Sequence, residues 1–331
     1  MNNFTNIMQV SRWSRLLTLT TYMVFLSFGA NIRAQVPIAI YNQEDQSLTF
    51  SVVTNMEAEK YATMEKYEGC FWQNEDVVNV SDNPGWLKYR DNIKTVIIGR
   101  SFSDCKPKST YRWFMGCNVL EKIKGLDYLD TSEVTDMESM FDYCTSLKEI
   151  DVSKFNTSNV TDMSQMFQHC ESLLVLNLSG FDTSNVTRMS WMFNGCNSIP
   201  YIDVSNFNTS KLEYCPMMFH ACYALRILDL TNFSTQKLIC CNFMFMECIA
   251  LHTIYCNDTW TISDDMSQNM FNTNNKLSGA VPYNVDNANT CKFANPDNGY
   301  FTRKGVEGDV NKDGKVDISD VVKIINIIAN N

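Results

Sequence analysis

A chain of 331 residues with 45% hydrophobic and 12% aromatic side chains has ample apolar surface for a core and length for more than one structural unit, which argues against disorder of the whole. Its formal charge of −10 comes without any basic stripe and argues against nucleic acid as a partner, because phosphate binding needs clustered Lys and Arg. A negative surface favours solubility and cationic partners.

Residues 1–34 read as an export signal. Arg12 and Arg15 precede an apolar run from Leu16 to Phe28, and Ala30 to Ala34 supplies small residues for cleavage before about Gln35. The run is short for a bilayer span; an uncleaved anchor is the alternative. No cysteine follows it as a lipid attachment site, and no second apolar stretch reaches spanning length. The mature chain is therefore expected to lack a transmembrane segment and to be secreted or held at the cell surface.

Residues 35–112 are expected to form an N-terminal cap on the regular stretch that begins at residue 113. Ile38 to Tyr41 and Leu48 to Val52 flank Asn42 to Gln46 as a hairpin, Asn83-Pro84-Gly85 marks a turn, and Lys94 to Ile98 reads as a buried strand beginning a longer sheet.

From Phe114 a phenylalanine returns at a nearly fixed interval: Phe114, Phe141, Phe167, Phe193, Phe219, Phe245 and Phe271, with a first step of 27 residues and 26 thereafter. Such a period marks a solenoid, over residues 113–271, in which no single turn buries its own apolar face. A cysteine column (Cys117, Cys144, Cys170, Cys196, Cys222, Cys248) and aliphatic columns travel with the phenylalanine. So do a second Phe column (Phe155, Phe181, Phe207, Phe233) and a threonine column (Thr157, Thr183, Thr209, Thr235, Thr261).

Thirteen cysteines in an exported chain suggest disulfides. Six of them in one repeat column instead point to buried free thiols packed between turns. No pair of CxxC motifs occurs and His169, His220 and His252 share no column, which argues against a metal cluster.

Within a repeat, Leu147-x-x-Ile150-x-Val152 reads as a short inward-facing strand. Val160, Met163, Met166 and Phe167, at relative positions 0, 3, 6 and 7, read as one face of a short helix capped by Ser158 or Thr161. The threonines are expected to bond local backbone where the chain leaves the strand. The fold class expected is an α/β solenoid, with a parallel sheet on one face and short helices on the other, capped at both ends.

Turns such as Phe141-Asp-Tyr-Cys144-Thr-Ser-Leu147-Lys-Glu-Ile150-Asp-Val152, followed by Phe155-Asn-Thr-Ser-Asn-Val-Thr-Asp-Met163, closely resemble the leucine-rich-repeat surface proteins of the BspA type. The resemblance implies a leucine-rich-repeat fold and an exported, non-enzymatic surface protein that adheres to host proteins or other cells. The pattern fails in the last turn, where Asn274 replaces the cysteine and Trp260 disrupts the Phe column, so residues 272–302 are expected to form a second cap.

After a linker at 303–308, residues 309–331 hold Asp309-x-Asn311-x-Asp313-Gly314-x-x-Asp317-x-x-Asp320. Oxygen ligands fall at loop positions 1, 3, 5, 9 and 12, with the backbone of Lys315 at 7 and glycine at the sharp turn, a spacing that suits calcium. Asp320 in place of the usual glutamate makes the segment resemble a dockerin half-module. Dockerins normally carry two such segments, so recruitment to a cohesin-like partner is implied with one half missing.

Two outward columns are candidates for recognition of a protein or surface glycan. On the strand, Asp151, Asn177, Asp203 and Asp229 form either a ligand or cation stripe or a row of acceptors for their own loops. On the expected helix, Trp191, Met217 and Phe243, two residues before each phenylalanine, lie opposite the inward face as a solvent-facing apolar ridge. If the coil is less regular, they pack between helices instead. No nucleophile and base stand out as a pair, so an enzyme is not expected.

Overall fold

The computed structural model describes residues 35–54, 57, 67–71, 84–260, 262–305 and 321–322. Strands β1 (Gln35–Asn42) and β2 (Ser47–Thr54) form an antiparallel hairpin closed by the pair Asn42 and Ser47. The Asn42 side chain accepts from the amide of Glu44, and that of Asp45 accepts from Ser47. Strand β3 (Tyr67–Phe71) pairs antiparallel with the other edge of β1. On the far side β2 runs parallel to β4 (Thr95–Ile98), and β4 parallel to β5 (Lys122–Lys124), giving the order β3-β1-β2-β4-β5. The β4–β5 pairing sets Thr95 opposite Lys122 and Val96 opposite Ile123, the first parallel step between turns.

The seven spine phenylalanines lie along one buried column. Successive ring centroids are 5.5, 5.6, 5.9, 5.5, 6.0 and 5.6 Å apart, with planes within 26° of parallel. Each stack adds about 0.5–1.5 kcal/mol beyond its area. Both ends of the spine are closed by aromatics. Trp113 and Phe50 stack at 5.4 Å beside Phe114, and the Trp86 indole donates to the Trp113 carbonyl. At the other end Tyr300 and Phe301 meet Phe271 edge-on, and Trp260 lies buried against Phe245 and Phe301.

The side of the turns where helices were expected contains no α-helix among the described repeat residues, only a single 3-10 turn at Asp264–Met266 in the last unit. Met137, Ser139, Phe141 and Tyr143 donate their amides to the carbonyls of Asp162, Ser164, Met166 and Gln168 in the next turn. Between them, Met140, Asp142 and Cys144 donate back three residues to Met137, Ser139 and Phe141. The same alternation continues from Met163, Met189, Cys215 and Cys241. A helix would spend every amide inside its own turn and leave none for the neighbour. The alternation instead requires two left-handed residues per turn, such as Gln165 and His169 with φ of 58° and 51° or Trp191 and Gly195 with φ of 56° and 72°. Each non-glycine residue there costs about 1–2 kcal/mol, offset by the cross-turn bonds.

The threonines also differ from expectation. Thr183 donates to the carbonyl of Asn208 at 3.0 Å and accepts from the Asn208 amide at 2.7 Å, so its partner is the next turn and not local backbone. Thr131, Thr157 and Thr209 do the same with Asn156, Asp182 and Ser234. A partly buried backbone pair with no strand beside it gains such a partner, and a hydroxyl supplies both roles.

On the strand side, β6 (Glu149–Asp151) pairs parallel with β7 (Val175–Asn177), and β9 (Thr253–Tyr255) pairs parallel with β8 (Ile227–Asp229) on one edge and β10 (Phe301–Thr302) on the other. The break between β7 and the next turn falls at Pro200. Leu174 and His252 in the same column donate their amides to Lys148 and Arg226, and a proline has no amide to give.

Candidate interaction surface

Strand alternation places Ile150, Leu176, Ile202, Leu228 and Ile254 inward and the residues on either side of each outward. The inward four, Ile150, Ile202, Leu228 and Ile254, are buried and Leu176 is partly buried. Immediately before them, Val175, Tyr201 and Ile227 are 60%, 53% and 36% exposed in three consecutive turns, with exposed Leu174 beside Val175. Immediately after them stand Asp151, Asn177, Asp203 and Asp229. The strand face thus carries an apolar strip next to a row of three carboxylates and one amide, and the apolar strip was missed in reading the sequence. The signal was the alternation itself, applied to one side of the inward residue only.

Each member of the row accepts from the amide two residues on: Asp151 from Ser153, Asn177 from Ser179, Asp203 from Ser205 and Asp229 from Thr231. Bonds from Ser153 hold the Asp151 carboxyl below the usual carboxylate range. Burial pushes Asp229 up, but bonds from Lys304 and Thr231 outweigh it and leave it lowered. The Lys304 ammonium sits on Asp229 Oδ2, and its own ionisation is raised by that bond. The linker is fixed there by the Lys304 amide on the Asn257 side chain at 3.0 Å and by Arg303 on the Asn257 carbonyl and on Asp297. Burial, and the charges of Asp203 and Asp229, raise the Tyr201 phenol.

The second expected column is corrected by the structure. Trp191, Met217 and Phe243 do not form a solvent-facing ridge, because the helix that would turn them outward is absent. They occupy left-handed positions of the turn ladder and are half-buried. The Trp191 indole donates to Met217 Sδ at 2.7 Å, so these two side chains contact one another along the stack.

The cysteine column is buried and free, and from the second member on each thiol donates to the spine carbonyl of the preceding turn: Cys144 to Phe114, Cys170 to Phe141, Cys196 to Phe167, Cys222 to Phe193 and Cys248 to Phe219. The histidines each have a structural contact. His169 stacks on Tyr143 at 4.5 Å, His220 bonds Asn194 at 2.8 Å and His252 bonds Thr253 at 3.0 Å. Among the described residues no three His, Cys, Asp or Glu side chains are gathered to hold a metal ion, and no helix is long and apolar enough to cross a membrane. The calcium-loop residues Asp309, Asn311, Asp313, Lys315, Asp317 and Asp320, like the export signal, lie outside the described residues.

Parallel turns on a shared aromatic spine, with Val175, Tyr201 and Ile227 exposed on the strand face, define a repeat protein. A family model described as "Mycoplasma protein of unknown function, DUF285" matches residues 108–199 and 174–285, and the chain belongs to this family. A search of curated proteins finds no match. Among solved structures the chain is similar to a leucine-rich repeat protein from Eubacterium ventriosum, at 12% identity over 74% of this chain and 76% of that one, with a TM-score of 0.24. It is similar also to a leucine rich cell surface protein from Faecalibacterium prausnitzii, at 16% identity over 69% and 84%, TM-score 0.22. A leucine-rich repeat protein from Bacteroides ovatus is similar at 13% identity over 77% and 82%, TM-score 0.23. Likeness at this level leaves the fold resting on the chain's own bonding pattern.

Proposed function

We propose that the chain is an exported, non-enzymatic bacterial protein, secreted or at the cell surface, whose leucine-rich-repeat solenoid binds a protein or surface glycan. The observation that carries this is the strand face, where Val175, Tyr201 and Ile227 stay exposed in three successive turns, since contiguous exposed apolar side chains mark interaction sites. The signal-like residues 1–34 support export, and the structural contacts of all three histidines favour a non-catalytic role. The test is to locate the protein in producing cells by surface proteolysis and to measure binding of the purified chain to a panel of extracellular proteins and glycans. Surface exposure with saturable binding is expected; a chain confined to the cytoplasm, or one that binds nothing on the panel, overturns the reading.

A second reading has its own observation. Arg303 and Lys304 are tied to the repeats, so the segment carrying Asp309 to Asp320 starts from a fixed point on the strand face. If that segment binds calcium and recruits the chain to a cohesin-like or other surface partner, deleting residues 309–331 releases the protein from the producing cell. Unchanged retention removes the tethering role.

A further inference from the structure

We propose that the strand face takes an extended polypeptide segment bearing lysines, laid along the stack so that its aliphatic side chains cover Val175, Tyr201 and Ile227 and its ammonium groups meet Asp203 and Asp151. The proposal rests on the interaction reading above and names the partner's chemistry at that surface. The molecule itself shows how the row receives such a group. Lys304, from a linker remote in sequence, places its ammonium on Asp229, the last carboxylate of the row, and its amide donates to the Asn257 side chain and holds it there.

Asp151 and Asp203 stand in the equivalent positions of other turns. Each uses Oδ1 to accept from its loop, Asp151 is also bonded by the Asn177 side chain and lies near the Lys154 charge, and both side chains are exposed. The loop bonds hold these carboxylates at fixed height, which lowers the ordering cost of a charged contact. Net charge favours the same partner: a chain of −10 repels acidic segments and attracts basic ones. The apolar strip beside the row supplies area that a free cation would not use, so a segment combining both features fits better than either alone.

The test uses the full mature chain and a labelled synthetic peptide alternating lysine and valine, with matched peptides in which glutamate or glutamine replaces lysine. Binding is read by fluorescence anisotropy at low and moderate salt. The lysine peptide is expected to bind at least about tenfold tighter than the glutamine peptide, and D151N with D203N to abolish most of that advantage. K304A should tighten binding about two- to fivefold by freeing Asp229. Equal binding of the three peptides, or insensitivity to D151N with D203N in a variant of unchanged melting temperature, overturns the proposal. So does dimerisation of the chain itself through Val175 and Ile227, seen in sedimentation and lost in V175S with I227S, because the face is then taken by a second copy. If a protein from the extracellular panel binds but is indifferent to these five substitutions, the interaction reading stands and this assignment falls.

Discussion

The Cys170 thiol donates to the Phe141 carbonyl oxygen at 3.3 Å, and the Cys144 amide donates to the same oxygen at 3.1 Å. One carbonyl thus serves its own turn and the next, using both lone pairs. Burial pushes the thiols of Cys144, Cys170 and Cys222 well above their ordinary range and that of Cys196 up to about 12. They stay protonated and unreactive while the stack is closed. Maleimide labelling at pH 8 should leave the six column cysteines unmodified in the native protein and modify them in denaturant; rapid native labelling contradicts the burial. Cys170→Ala should cost only about 1–2 kcal/mol, because the carbonyl keeps its amide partner.

Thr183 holds both backbone groups of Asn208, so Thr183→Val removes two bonds at once while keeping the shape. A loss of about 2–4 kcal/mol is expected in urea denaturation, larger than for Cys170→Ala. A loss below about 1 kcal/mol means that water reaches the Asn208 backbone and substitutes for the hydroxyl.

Asp142 is buried, its Oδ1 has no donor, and burial raises its carboxyl to about 7 despite the opposing charge of Arg112. The unfolded carboxyl ionises near the usual 3.8. The folded state therefore holds a proton that the unfolded state has released between those values, and this group makes stability fall as pH rises from about 4 to 7. Asp142→Asn removes the dependence. Relative to the parent chain, the variant should gain about 2–4 kcal/mol between pH 4 and pH 8, read from denaturant midpoints. A difference that does not change with pH shows that the carboxylate finds a partner when charged.

Gly195 has φ of 72°, and a Cβ there would lie 2.6 Å from His169 Nδ1 in the preceding turn. Gly195→Ala should lower stability by about 1–3 kcal/mol from backbone strain and displacement of the imidazole. Gln165, at φ of 58°, is the converse case. Gln165→Gly should be near neutral, since relief of left-handed strain offsets glycine's extra chain entropy of about 0.5–1 kcal/mol. If Gln165→Gly destabilises as much as Gly195→Ala, the left-handed geometry of the ladder is not the controlling factor.

The aromatic spine was legible because a residue that must meet its own equivalent in the next turn has to recur at the turn length, as Phe141, Phe167 and Phe193 do. The helix expected over Ser158 to Phe167 was a misreading with a clear origin. Met163 and Met166 are three apart in either geometry, because the turn ladder is built from bonds reaching back three residues, such as Met166 to Met163. What separates the two is the sign of φ at Gln165 and His169, and neither residue type announces it. The glycines at positions 116 and 195, in the same column as Tyr143 and His169, carried the available hint. Of the surface, the row from Asp151 to Asp229 was readable from its recurrence, while Val175, Tyr201 and Ile227 differ in type from Glu149 and Thr253 in their own column, so the strand alternation marked them as outward but no recurrence of residue type did.

Alternate donation of amides within and between turns limits how such a gene can change length. Removing or adding residues inside the ladder segment of a turn would put carbonyls opposite carbonyls there, whereas the 27-residue first step keeps its ladder bonds, such as Phe114 to Met140, so an extra residue is absorbed only outside the ladder and larger changes need an entire repeat unit. Variants of this protein across strains should therefore differ by whole modules, and each added module would lengthen the row that begins at Asp151 without disturbing what lies on either side.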